Sequence, residues 1–325
     1  MTILVALYSE FDVWCIPEAY VDALRRDFPQ HTFVRADDDA QTLERIGDAD
    51  AAFATRLRPD HVAAARRLRW VHSAAAGVGN MLFPAMVESP IQITNSRGIA
   101  SAPIAEHVIA VTLALLRDLP LAWQRQRDAV WAQDEFTRRP PLRTLGGARV
   151  LIVGLGSIGA GTARLAAAFG AHVVGIRRRP GPPPDGVEAV FGPDRLHDEL
   201  PRADVVVIAA PHTRETSHLI GERELAMLKD GAVLVNVSRG KLIDEGALAR
   251  ELEKGRIRAG LDVVEHEPLA ADSPLWRSPH VLITPHVAGF FAGYWPATVG
   301  TFADNLRRFE RGQPLVNIVD KRAGY

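Results

Sequence analysis

The sequence predicts an α/β fold of largely parallel sheets with one unit inserted in another, and three observations predict it. Apolar runs of strand length alternate with helix-spaced segments along the chain. A glycine turn, GLGSIG at 154–159, lies mid-chain between an apolar run and a small-residue helical pattern. The segment YWPATVGTFADNLRRFERGQ (294–313) reads as a capped amphipathic helix, with Pro296 near its start and Gly312 just past its end. Such a helix can return to pack on the N-terminal part. At 325 residues the chain fits two domains, each long enough to bury a core.

In order, TILVALYS (2–9), ADAAFAT (49–55) and IQITNS (91–96) read as strands. Between them, 17–28 and 59–68 carry helical spacing behind Pro or Asp start signals. Residues 101–133 form a long helical pattern that opens with Pro103 and is interrupted at Pro120. ARVLIV, the glycine turn, a helix and HVVGI then make a complete βαβ unit, followed by the turn-rich loop PGPPPDG (180–186). Further strands are expected at 203–210, 231–238, 258–264 and 280–286, with a helix at 244–255. The expected division is 1–98 with 288–325 in one domain and 99–287 in the other. Crossovers near 97–101 and 286–293 would then form a hinge.

The chain is 47% apolar and 24% charged with net charge −1, which lacks the electrostatic footprint of a nucleic-acid or membrane-surface protein. Cys15 is the single cysteine, so no intrachain disulfide or thiolate metal cluster is possible, in keeping with a reducing cytoplasm. The N-terminus reads as a first strand rather than a leader, and VIAVTLALL (108–116) is about half a membrane span. The expectation is a soluble cytoplasmic protein without a nucleic-acid or membrane partner.

Gly154, Gly156 and Gly159 follow a strand and open a helix, the context that makes a glycine loop a dinucleotide-binding signal. Gly154 allows the turn, Gly156 lets backbone approach a pyrophosphate, Gly159 lets helix pack on strand, and Ser157 and Ile158 open the helix whose N-terminus faces the anion. A purely structural strand–helix turn is the alternative. Eighteen residues beyond Gly159, where a carboxylate would grip a ribose hydroxyl, stand Arg177, Arg178 and Arg179. Guanidinium forks suit a 2′-phosphate, so the prediction is NADP(H) in preference to NAD(H), with Arg177 or Arg178 foremost. Solvation of a loop is the competing reading of these arginines.

Three later stretches lie at strand ends: NVSRG (236–240), DVVEHEP (262–268) and TPH (284–286). They offer Arg239 to clamp a 2-keto carboxylate, His286 to give a proton, and Glu267 to orient the histidine. Taken singly, each is equally compatible with a structural or surface role. His107 and Glu106, on the long helix, read as residues for packing and domain-linking hydrogen bonds. Asp37, Asp38 and Asp39 read as a solvated loop rather than a metal site, since no matching ligand set follows.

Together with AAGVGN (75–80), NSRGIASAPIAEHV (95–108), PHTRET (211–216), TPHVAG (284–289) and NIVD (317–320), these stretches make the chain resemble the D-isomer-specific 2-hydroxyacid dehydrogenase family over essentially its whole length. The resemblance implies two Rossmann-like domains, the cofactor domain inserted in a flavodoxin-like substrate domain, and usually a homodimer joined through the cofactor domain. It implies Arg239, Glu267 and His286 as the catalytic trio, and Ala76, Gly77 and Val78 as carboxylate binders with Arg239 and His286. It places Ala210, Pro211, His212, Thr216, Val237, Ser238, Asp262, His286 and Gly289 along the cofactor. The arginine cluster departs from the family's usual NAD-selecting acid and resembles the glyoxylate- and hydroxypyruvate-reductase branches. Substrate selectivity would come from 56–59 and from Phe290, Phe291 and Trp295. Relatives acting on formate or phosphonate, and a nucleotide-sensing corepressor-like scaffold, are the alternatives.

Overall fold

The computed structural model describes residues 1–324. The chain forms two compact units, one of Met1–Ile99 with the segment from Phe291 onward, the other of Ala100–Phe290. These boundaries fall one and three residues beyond those expected. The second has a clear cause: the amides of Val287 and Ala288 donate to the buried carboxylate of Asp262 at 2.9 and 3.0 Å, which holds this stretch to the inserted unit.

The first unit is a five-stranded parallel sheet of β1 (Thr2–Ala6), β2 (Thr32–Arg35), β3 (Ala51–Ala54), β4 (Trp70–Ser73) and β5 (Gln92–Asn95), in the order β2-β1-β3-β4-β5. That is the flavodoxin-like order. Register pairs Ile3 with Phe33 and with Ala51, so apolar residues stack across neighbouring strands. β1 and β3 are buried on both faces, which is why they read as continuous apolar runs. The helix Tyr294–Glu310 packs on one face, where Phe302 stacks on Phe53 at 4.3 Å and on Trp70 at 5.4 Å. The tail therefore completes the N-terminal core.

The second unit is a seven-stranded parallel sheet of β6 (Arg149–Val153), β7 (His172–Ile176), β8 (Ala189–Phe191), β9 (Val205–Ile208), β10 (Val233–Asn236), β11 (Arg258–Leu261) and β12 (Val281–Ile283). Its order, β12-β11-β10-β9-β6-β7-β8, reverses direction beside β6, the doubly wound pattern whose ligand crevice lies at the strands' carboxyl ends. Residues 101–133 split into helices Ser101–Leu116 and Leu119–Arg127, with Asp118 left-handed (φ 54°) between them. Pro120 cannot continue the first helix but fits the first turn of the second.

β2, β4 and β8 lie outside the strands that the sequence predicts. They are three or four residues long, too short for alternation to declare itself, and β4 carries the polar pair His72 and Ser73. Among the described residues, no helix is long and apolar enough to cross a membrane.

Candidate active site

In the second unit the predicted residues gather on the loops at the carboxyl ends of the strands. After β6, Gly154 adopts φ +103°, and a Cβ there would lie 2.4 Å from Ala210 N. A Cβ on Gly159 would lie 2.0 Å from Gly154 O. Gly156 caps the helix Ser157–Ala168, and nothing lies within 4 Å of where its Cβ would be. The first-turn N–H groups of Ser157, Ile158 and Gly159 have no helical carbonyl to bind, so they suit an anion. A packed turn with open space above its cap fits a dinucleotide pyrophosphate.

At the end of β7, Arg177 is half-buried and Arg178 and Arg179 are exposed. Arg177 donates to Pro182 O at 3.3 Å while its buried Nε has no partner. Across the loop, Thr213 donates to Glu215 at 2.7 Å, and this bond, with the charges of Arg178 and Arg214, holds Glu215 below the usual carboxylate range. After β9, the turn from Pro211 closes on itself, Thr216 Oγ1 donating to Pro211 O at 2.8 Å. His212 is exposed, and Ser238 Oγ donates to Ala210 O, tying this turn to the loop after β10.

After β10, Val237 is buried and Arg239 is exposed. Asn236 Nδ2 donates to Arg239 O at 3.0 Å. Gly240 is pressed against the next loop, where a Cβ would lie 1.9 Å from Val264 O. Arg239 is thus an outward side chain on a backbone held from both sides.

His286 and Glu267 meet although nineteen residues separate them. Nδ1 donates to Glu267 Oε2 at 2.7 Å, and both side chains remain part exposed at 49% and 39%. A carboxylate can only accept, so Nδ1 carries the proton and Nε2 faces away for chemistry. His286 itself is left-handed (φ 55°), a conformation that a non-glycine residue holds only with support.

Asp262 supplies that support. Its backbone O accepts from His286 N at 2.8 Å. Its buried Oδ1 accepts from Thr284 Oγ1 at 2.7 Å and from Val287 N, and Oδ2 accepts from Ala288 N. Thr284 Oγ1, having spent its proton on Asp262, accepts from His107 Nε2 at 3.1 Å. His107, Thr284 and Asn236 escaped the sequence reading as parts of the site. All three lay inside the quoted motifs, and for Asn236 and Thr284 a polar residue at a strand end was the available signal. Gly289 closes the turn.

In the first unit, Ala76, Gly77 and Val78 follow β4. Their N–H groups find no acceptor among the described residues, whereas Ala75 N turns back to Ser73 Oγ at 3.2 Å. The acidic run is structural. Asp38 caps the helix Asp39–Arg45 through Gln41 N, and Asp39 receives Tyr8 Oη at 2.7 Å and pairs with Arg56 and Arg58. Trp295 Nε1 donates to Val13 O at 3.2 Å.

The second unit, with its glycine loop, doubly wound sheet and histidine–carboxylate pair, is of the dinucleotide-binding dehydrogenase class. The model of the D-isomer specific 2-hydroxyacid dehydrogenase NAD binding domain matches residues 109–288. The glyoxylate reductase of Korarchaeum cryptofilum is 34% identical over 86% of this chain and 85% of its own length. A D-isomer specific 2-hydroxyacid dehydrogenase family protein of Aeromonas salmonicida superposes with TM-score 0.85 at 34% identity, covering 98% of this chain and 99% of that one. The NADPH-dependent glyoxylate/hydroxypyruvate reductase of Sinorhizobium meliloti, solved with NADP and sulfate, gives TM-score 0.84 at 28% identity, covering 100% and 99%. Of the longer D-3-phosphoglycerate dehydrogenase of Methanocaldococcus jannaschii the chain spans about half (53%). The chain belongs to the D-isomer specific 2-hydroxyacid dehydrogenase family, oxidoreductases that use a nicotinamide cofactor.

Proposed function

We propose that the protein reduces a small 2-keto acid to its D-2-hydroxy acid with NADPH in preference to NADH, glyoxylate and hydroxypyruvate being the first substrates to try. The observation that carries this reading is the His286–Glu267 pair, 2.7 Å apart, at the carboxyl edge of the sheet that bears the glycine loop. When bound, the nicotinamide supplies the hydride. Arg239 binds the carboxylate and polarises the keto oxygen, and His286 Nε2 delivers the proton that turns this oxygen into a hydroxyl. The ring that gives the proton carries one on each nitrogen: Nδ1–H stays on Glu267 while Nε2–H is transferred, leaving the neutral Nδ1–H imidazole. The second unit is the dinucleotide-binding domain, with Arg177, Arg178 and Arg179 offered to the 2′-phosphate. The first is the substrate-binding domain, with the amides of Ala76, Gly77 and Val78 offered to a carboxylate.

Nucleotide absorbance, followed over a panel of 2-keto acids with NADPH and NADH in parallel, tests the reading. Faster turnover with NADPH is expected, and no turnover with any acid would overturn it. Arg177→Asp combined with Arg178→Ala is expected to raise the NADPH KM about tenfold or more while sparing NADH. Equal losses would remove the 2′-phosphate assignment. Leu119, Trp123, Val130 and Trp131, each exposed and close along the chain, are the residues proposed for a homodimer through the second unit. Sedimentation as a monomer would refute that. A cytoplasmic location is proposed with it.

A further inference from the structure

Three consecutive peptide oxygens in the loop after β4 are held from two sides, by the tail helix and by the end of β5, where Ser96 N also donates to Ser73 O at 3.1 Å. Tyr294 Oη donates to Ala74 O at 3.0 Å, Ser96 N to Ala75 O at 3.3 Å, and Asn95 Nδ2 to Ala76 O at 2.6 Å. In a planar trans peptide the C=O and the following N–H point in opposite directions. Pinning Ala75 O and Ala76 O therefore turns the N–H groups of Ala76 and Gly77 to the other side of the loop, where no acceptor meets them among the described residues.

Asn95 is itself fully engaged. It is 2% exposed, its Oδ1 accepts from Arg97 N at 3.3 Å, and its backbone is bound on both sides to Asn317. Asn95 N donates to Asn317 O at 3.2 Å, and Asn317 Nδ2 donates to Asn95 O at 3.1 Å and to Arg97 O at 2.8 Å. Asn317 is left-handed (φ 57°), a conformation that asparagine tolerates better than most residues. Asn305 fixes the neighbouring Val316 at both N and O, at 2.7 and 3.0 Å. The tail is thereby clamped to the strand end that carries Asn95.

We infer that Asn95, backed by Asn317, is a positioning residue that aims the Gly77 amide, beside the Ala76 amide set by Ser96 N, at the substrate's carboxylate. Neither residue touches substrate. They hold carbonyls so that two donors converge on one anion, and an amide pair left to rotate would lose this directed geometry. The inference rests on the proposed carboxylate role of this loop.

The test uses the full protein loaded with NADPH, with oxamate as an unreactive carboxylate probe. Asn95→Asp keeps the shape but faces Ala76 O with an oxygen, and Asn317→Gly keeps the left-handed backbone while removing the Nδ2 bonds to Asn95 O and Arg97 O. Oxamate Kd by calorimetry and keto-acid KM are expected to rise about tenfold in Asn95→Asp and about fivefold in Asn317→Gly, the scale of one directed hydrogen bond. NADPH Kd and saturated kcat should change by about twofold or less. Wild-type oxamate Kd in both variants, or NADPH Kd rising in step with it, would overturn the inference. If Asn95→Asp does not fold, Asn317→Gly decides alone. A wild-type protein that binds oxamate yet reduces no keto acid would refute the proposed activity while the positioning still reads out. A wild type that binds no oxamate would end both.

Discussion

Asp262→Asn is the substitution on which the architecture of the catalytic turn bears most directly. The side chain is 2% exposed and accepts three hydrogen bonds, at 2.7, 2.9 and 3.0 Å, from Thr284 Oγ1, Val287 N and Ala288 N. An amide keeps one oxygen, which the first two donors claim, and turns its NH2 toward the amide of Ala288. That buried N–H then loses its acceptor, at a cost of about 1–3 kcal/mol, and the remaining bonds lose charge assistance worth about 1 kcal/mol in all. The sum is about 2–4 kcal/mol, a large part of a domain's stability. Because Asp262 O also holds His286 N, a relaxed turn should displace Nε2, and a shift of about 1 Å can cost on the order of 100-fold in rate. Urea unfolding and kcat with saturating NADPH measure both effects. An Asn variant with wild-type midpoint and wild-type kcat would refute the account. Thr284→Val should show a smaller loss of the same kind, about 1 kcal/mol.

His286→Ala should abolish keto-acid reduction, a fall of at least about 100-fold in kcat, with NADPH Kd nearly intact by fluorescence titration; a retained kcat would remove the histidine from the chemistry. Gly159→Ala should abolish NADPH binding or destabilise the second unit, since its Cβ would lie 2.0 Å from Gly154 O, and normal titration would contradict the packing. His72, buried between Thr94 and Ser96, has its pKa pushed down to about 3 by burial. The native state favours neutral imidazole while the unfolded chain protonates near the ordinary value of about 6.5. Its contribution is therefore complete above about pH 6.5 and lost as pH falls toward 3. Between pH 6 and 4.5 the unfolding free energy should drop about 2 kcal/mol further in the wild type than in His72→Gln. Parallel pH profiles would refute it.

Features written in short-range chemistry were legible in the sequence. GLGSIG was readable because its glycines answer constraints within one turn: a positive φ at Gly154 and a close approach at Gly159. The helix break at Pro120 and the tail helix were readable for the same reason. β2, β4 and β8 were not, because three or four residues give no period and only pairing with neighbours makes them strands. The candidate trio could be named one residue at a time, but the 2.7 Å contact of Glu267 with His286 exists only once β11 and β12 lie side by side. Other hydrogen bonds around the candidate residues of each unit are further still from local reading. His107 reaches Thr284 across 177 positions, and Tyr294 reaches Ala74 across 220. Hydrogen bonds of that separation leave no periodicity along a chain, so the residue types were visible in the sequence while their partners were decided by the tertiary fold.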